Sequence, residues 1–171
     1  KIKDRFSQID ADKDGKVTKA EYETMRGMFA DAVNQLFAIK PGGSGDITNT
    51  HVLWQQNKHL PYVSSPIATN GRVFTMKSGG LASAYDAKSG SPLYQAERVD
   101  ASGDYYASAV SADGRIYITS QRGTVVVLDA TSDTLKVLAR NDLKASVFAS
   151  PAIVDGVIYV RTDKHVMAFG P

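Results

Sequence analysis

One ten-residue pattern occurs three times in this chain, and it limits the fold more than any other feature. Ser65-Pro66-Ile67-Ala68-Thr69-Asn70-Gly71-Arg72-Val73-Phe74 returns as Ser108-Ala109-Val110-Ser111-Ala112-Asp113-Gly114-Arg115-Ile116-Tyr117. It returns again as Ser150-Pro151-Ala152-Ile153-Val154-Asp155-Gly156-Val157-Ile158-Tyr159. The glycines at 71, 114 and 156 lie 43 and 42 residues apart. Each Asn-Gly or Asp-Gly pair sits between two short β-type runs, which is the pattern of a tight hairpin. Further apolar runs at Leu81–Tyr85, Thr124–Leu128 and His165–Phe169 follow the hairpins at nearly constant distance. A period of 40–45 residues with four short strands per unit predicts β-propeller blades.

The first unit reads as strands A (66–69), B (72–77), C (81–86) and D (92–96). The third unit ends after strand C, at Phe169-Gly170-Pro171, and an extra D-like run, His51-Val52-Leu53-Trp54-Gln55, precedes the first. A leading D and a trailing ABC are what propellers use to close a ring. The expected fold is therefore mainly β: about three blades, a partial propeller, preceded by an α-helical module. Propellers have about four to eight blades, so bare blade faces need a partner. That partner is expected to be a missing N-terminal propeller half or a second copy of the chain, giving a homo-oligomer.

Upstream of Pro41 the period changes. Ile2, Phe6 and Ile9 recur at helical spacing, as do Tyr22, Met25, Met28, Phe29, Val33, Leu36 and Phe37. Pro41-Gly42-Gly43-Ser44-Gly45 breaks that pattern. The expected domains are thus residues 1–40 and 41–171, with no helix predicted in the second. Between the two helical runs lies Asp10-Ala11-Asp12-Lys13-Asp14-Gly15-Lys16-Val17-Thr18-Lys19-Ala20-Glu21. It meets every diagnostic position of a twelve-residue EF-hand loop. A hard cation such as Ca²⁺ takes six to eight oxygens. Asp10, Asp12 and Asp14 would supply carboxylates, Lys16 its backbone carbonyl, Thr18 a bridging water and Glu21 both carboxylate oxygens. Val17 would pair with a partner loop, but the sequence holds no second one, so affinity is expected at the weak end.

Composition removes other classes. Residues 1–40 carry eight Lys/Arg against seven Asp/Glu, and residues 41–171 carry twelve against eleven. Neither half has the basic stripe that nucleic acid requires or a basic helix suited to a membrane surface. The chain has no cysteine, which excludes disulfides and thiolate metal sites.

Two segments carry a family resemblance. Ala84-Tyr85-Asp86-Ala87-Lys88-Ser89-Gly90-Ser91-Pro92-Leu93-Tyr94 resembles the blade-docking motif of pyrroloquinoline-quinone-type propellers, with Ser89 and Tyr94 in place of Thr and Trp. Leu128-Asp129-Ala130-Thr131 keeps part of it. Pro41 to Trp54, Pro61 to Pro66, Gly103 to Ser108 and Arg161 to His165 resemble the C-terminal part of quinoprotein-like repeat proteins of Planctomycetes and related bacteria. That resemblance covers about residues 41–171. It implies a six- to eight-bladed parent, an extracytoplasmic (periplasmic or secreted) location, and a docking role for the motif aromatics. It does not imply a working quinone site: the channel ligands and paired cysteines of true quinoprotein dehydrogenases have no counterpart that can be placed here.

Other residues fit structural roles better than chemical ones. His51, His59 and His165 lie far apart, with no second ligand at metal-binding spacing. Asp46, Thr48, Thr50 and His51 form a polar cluster before the first strand, read foremost as a capped turn. Tyr105-Tyr106 reads as packing between blades rather than as a sugar platform. No catalytic constellation emerges, so no catalytic residue is assigned. The expected function is a calcium-binding scaffold or interaction segment of a larger protein, with a protein or polysaccharide ligand. The alternative is a fragment of a quinoprotein-type oxidoreductase completed by further blades.

Overall fold

The computed structural model describes Phe6, residues 9–30 and residues 33–171, and divides into one unit of residues 1–34 and another of 35–171. In the first unit Phe6 and Ile9 have helical backbone, and the Asp10 N–H donates to the Phe6 carbonyl at 3.0 Å. The loop that follows leads into helix α1 (Lys19–Ala30). Thr18 opens that helix through a reciprocal cap. Its hydroxyl accepts from the Glu21 N–H at 3.3 Å, while the Glu21 carboxylate accepts from the Thr18 N–H at 2.9 Å. Ile2, expected on the apolar face of the first helix, lies outside the described residues, as do the side chains of Met28 and Phe29.

The second unit holds thirteen strands and one short helix among its described residues. In order they are β1 (Leu36–Ile39), α2 (Thr48–His51), β2 (Val52–Gln56), β3 (Ile67–Thr69), β4 (Arg72–Lys77), β5 (Leu81–Asp86) and β6 (Pro92–Arg98). Then come β7 (Val110–Ala112), β8 (Arg115–Thr119), β9 (Thr124–Asp129), β10 (Val137–Asp142), β11 (Ala152–Val154), β12 (Val157–Arg161) and β13 (Val166–Phe169). They form antiparallel sheets β3-β4-β5-β6, β7-β8-β9-β10, β11-β12-β13 and β1-β2. The ABCD reading of the repeat is therefore met twice in full and once to strand C. The A–B turns are made by Asn70-Gly71, Asp113-Gly114 and Asp155-Gly156, all with positive φ (51° and 72°, 49° and 70°, 49° and 76°), as a type I′ hairpin needs.

Three expectations are corrected. Leu36 and Phe37 are not helical but lie in β1, where Phe37 pairs with Gln55 and Ala38 with Trp54. A four-residue apolar run fits either period, and here pairing with β2 decides it. For the same reason β1 belongs to the unit of residues 35–171. The segment after Pro41 does contain a helix, the single turn α2, nucleated where the Asp46 carboxylate accepts the Thr48 N–H at 3.0 Å. Finally, the leading D strand does not stand ready to complete the last blade. β2 already has β1 as its partner, and Ala38 faces Trp54 as Ala84 faces Tyr94. Among the described residues none of the four sheets is closed on itself.

Apolar side chains of the two full blades make the core. Phe74, Met76, Ala82, Ala84 and Tyr94 of the first cluster with Ile116, Ile118, Val126 and Leu128 of the second. Successive inner strands are tied by a repeated serine contact: Ser65 N–H donates to Ser108 Oγ, and Ser108 N–H to Ser150 Oγ, each at 2.9 Å. The third blade is only partly covered, with Tyr159 and Val166 exposed.

Candidate metal centre

The loop of the first unit folds around its own carboxylates. Oxygens of Asp10, Asp12 and Glu21 all lie within 4.8 Å of one another. Asp10 is buried; its Oδ1 accepts from Asp14 N–H at 3.1 Å and its Oδ2 from Gly15 N–H at 3.0 Å. Asp12 Oδ1 also accepts from Asp14 N–H at 3.1 Å. Gly15, at φ +82°, supplies the sharp turn, helped by Lys13 at φ +61°. Glu21 spans the two ends of the loop: Oε1 accepts from Ala11 N–H at 2.8 Å, and Oε2 from Thr18 N–H and hydroxyl at 2.9 and 2.8 Å. The Thr18 N–H and hydroxyl, then the Ala11 and Asp12 N–H groups, hold the Glu21 carboxyl below its usual range. A cluster of hard anionic oxygens on one loop suits a hard cation.

Asp14 does not join that cluster. Its Oδ1 instead accepts the Lys16 N–H at 2.7 Å. Lys16 and Thr18 lie in the same loop, Thr18 engaged with Glu21 as described. Val17 is exposed. The histidines stay apart in role. His51 Nδ1 meets Thr50 Oγ1 at 2.7 Å, and its ring lies against Gly43, where a Cβ would come within 2.8 Å. With Asp46 accepting the Thr48 N–H just ahead of α2, the cluster Asp46, Thr48, Thr50 and His51 is a largely exposed, hydrogen-bonded turn. His59 takes a positive φ of 57° in an exposed loop, and His165 closes a turn by donating its N–H to Thr162 Oγ1.

The blade-docking segment also has a definite geometry. The Asp86 carboxylate accepts from the Ser89 N–H and hydroxyl, both at 2.8 Å, and these hold it below the usual carboxylate range. Asp129 repeats the device with the Thr131 hydroxyl and N–H and is lowered to about 2. Trp54 of β2 lies on Gly90, and its Nε1 donates to the Ala87 carbonyl at 3.0 Å. Tyr94, at the motif's aromatic position, is buried between the first and second full blades.

Comparison with known proteins agrees with both halves. Residues 2–25 match the EF-hand family, and residues 102–170 match the family described as outer membrane protein assembly factor BamB. Among solved structures, BamB from Moraxella catarrhalis superposes with a TM-score of 0.56 at 17% identity, over 69% of this chain and 36% of BamB. The chain is thus similar to about a third of that protein. An EF-hand here precedes blades of the quinoprotein-like propeller type. The computationally designed Ika4 protein gives a TM-score of 0.57 at 17% identity, over 73% of this chain and 76% of Ika4. The quinohemoprotein alcohol dehydrogenase ADHIIG from Pseudomonas putida HK5 gives 0.50 at 16% identity, over 63% of this chain and 19% of the enzyme. At these identities the propeller blades share a fold and nothing more is transferred. No curated protein matches the chain significantly. No helix among the described residues is long and apolar enough to cross a membrane.

Proposed function

We propose that this chain is a calcium-binding, non-enzymatic propeller segment that acts as a scaffold or interaction module of a larger extracytoplasmic assembly. The observation that carries the metal reading is the meeting of Asp10, Asp12 and Glu21 oxygens on a loop turned by Gly15. With Ca²⁺ bound, Asp10, Asp12, Asp14 and Glu21 would supply carboxylate oxygens, Lys16 its carbonyl, and Thr18 a water. The ion would neutralise the charge gathered on that loop and fix the start of α1. The blades would be completed by the rest of a propeller, from a longer polypeptide or a second copy, leaving one face for a protein or polysaccharide. The match of residues 102–170 to the family described as outer membrane protein assembly factor BamB supports the scaffold reading and the extracytoplasmic location.

Calorimetric titration tests the metal reading. One equivalent of Ca²⁺ per chain is expected, with a dissociation constant of about 10⁻⁵ to 10⁻³ M for a single unpaired loop. Absence of a saturable heat would remove it. The lower-ranked reading, a fragment of a quinoprotein-type oxidoreductase, rests on the fold shared with the alcohol dehydrogenase. It predicts a stoichiometric, calcium-dependent quinone spectrum on adding pyrroloquinoline quinone; the scaffold reading predicts none.

A further inference from the structure

The second and third blades flank an open cleft of about 550 Å³ between their B–C and D–A loops. Three cationic side chains line it: Arg122 from the β8–β9 turn, Lys144 from the segment after β10, and Lys164 from the β12–β13 turn, with His165 beside it. Asp163 is the acidic residue of the lining. Lys144 is also paired with Asp142 at 2.6 Å. Among the described residues, neither the Arg122 guanidinium nor the Lys164 ammonium has an ion-pair partner. The lining therefore keeps an excess of positive charge in a concave site, where the field of fixed charges is focused.

The cleft is held rigidly by main-chain bonds. Leu143 N–H donates to the Gly123 carbonyl at 3.0 Å, Val147 N–H to Gln121 at 3.0 Å and Asp163 N–H to Ser146 at 3.0 Å. Thr162 Oγ1 accepts from Lys164 N–H at 3.3 Å and His165 N–H at 2.9 Å. These bonds fix the turns that carry Arg122, Lys144 and Lys164. Two residues beyond Ser146, Phe148 stacks on Tyr106, with ring centroids 5.8 Å apart and planes at 18°. Both rings remain exposed, at 54% and 39%. They occupy matching positions before the inner strands of successive blades and form an exposed aromatic platform, Phe148 in the same loop that supplies Leu143 to Ser146 to the cleft.

We propose that this cleft and platform bind an acidic saccharide, a chain carrying uronate carboxylates. Arg122 and Lys164 take the carboxylates, and the Tyr106–Phe148 pair offers a ring surface for the sugar face. Such a ligand needs charge, hydroxyl contacts and a flat apolar surface, and it makes no demand on main-chain pairing. The proposal rests on the interaction reading above and narrows it to one face and one ligand class.

Titration of trigalacturonate into the full chain in calcium-free, low-salt buffer tests it. Saturable binding that weakens as salt rises is expected. The double variant Arg122→Ala/Lys164→Ala should weaken it at least tenfold, and Phe148→Ala several-fold, with the circular-dichroism spectrum of both unchanged. A neutral oligosaccharide of the same length should not compete. Equal binding by the double variant, or equal binding of poly-glutamate or inorganic phosphate, overturns the proposal. Glu21→Gln should lose calcium heat and keep saccharide heat, so failure of this site is read separately from failure of the metal reading. Capture of a protein partner without saccharide binding would keep the interaction reading and discard this ligand.

Discussion

Glu21 joins the two ends of its loop, because one carboxylate accepts from Ala11 at one end and Thr18 at the other. Replacing it by Gln keeps the shape but loses the charge and one acceptor oxygen. Calcium affinity should fall at least tenfold by calorimetry, and an unchanged heat would place the ion elsewhere. The same carboxyl responds to pH. Its folded pKa lies below the ordinary value, so its contribution is in place above the usual glutamate pKa of about 4.3 and is lost as pH falls below that. Helical signal from α1 in a peptide spanning residues 1–34 should therefore hold at neutral pH and decline under acid. A rise on acidification would contradict the assigned bonds. The meeting of Asp10, Asp12 and Glu21 was legible in sequence because a loop of this pattern puts its oxygens at fixed offsets in one short segment. The turning of Asp14 onto the Lys16 N–H was not legible, since neighbouring N–H donors compete for a short carboxylate side chain.

Strands and turns show the same division. The hairpins at Asn70-Gly71, Asp113-Gly114 and Asp155-Gly156 could be read directly, because few residue pairs accept two successive positive φ angles. Strand β1 could not, because its partner β2 lies beyond a Gly-rich segment and the run Leu36–Ile39 carries too few residues to separate the periods. The cleft cations were hidden for a related reason: Arg122, Lys144 and Lys164 stand on separate loops that only the blade geometry brings together. One element contact yields a test. Trp54 rests on Gly90 so closely that a Cβ there would lie 2.5 Å from the indole, and Gly90 has φ +72°. Trp54→Ala should cost about 2 kcal/mol, below the usual range for a buried Trp because this ring is only half-buried. Gly90→Ala should also destabilise, through the clash and the left-handed backbone. Denaturant melts of both and of the double variant should show less than additive loss, since both changes break one contact. Full additivity would mean that the ring and the glycine act independently.

At the scale of the whole chain, two sheets hold fewer strands than the others among the described residues. β13 has no outer strand there like β6 and β10, and β1-β2 has no further pair. The apolar side chains near these edges are open: Ile39 is 55% exposed, Leu53 60%, Val166 69% and Phe169 44%. Unpaired edge strands with apolar neighbours recruit other strands, and each buried Å² of apolar surface contributes about 25 cal/mol. The chain is thus expected to associate, through a second copy or through further blades. A six-bladed ring from two copies would set β13 of one beside β2 of the other, and β1 already holds that edge of β2. Closure by that route requires β1 to leave, so β13 is the edge whose chemistry decides the outcome. Val166→Lys places a charge on it, as natural edge strands do to block pairing. Light scattering at micromolar concentration should report a species heavier than the 18.4 kDa chain, and Val166→Lys should shift it toward monomer. A wild-type monomer with sharp thermal unfolding would show that the open blades are self-sufficient, and the assignment of β13 as a recruiting edge would fall.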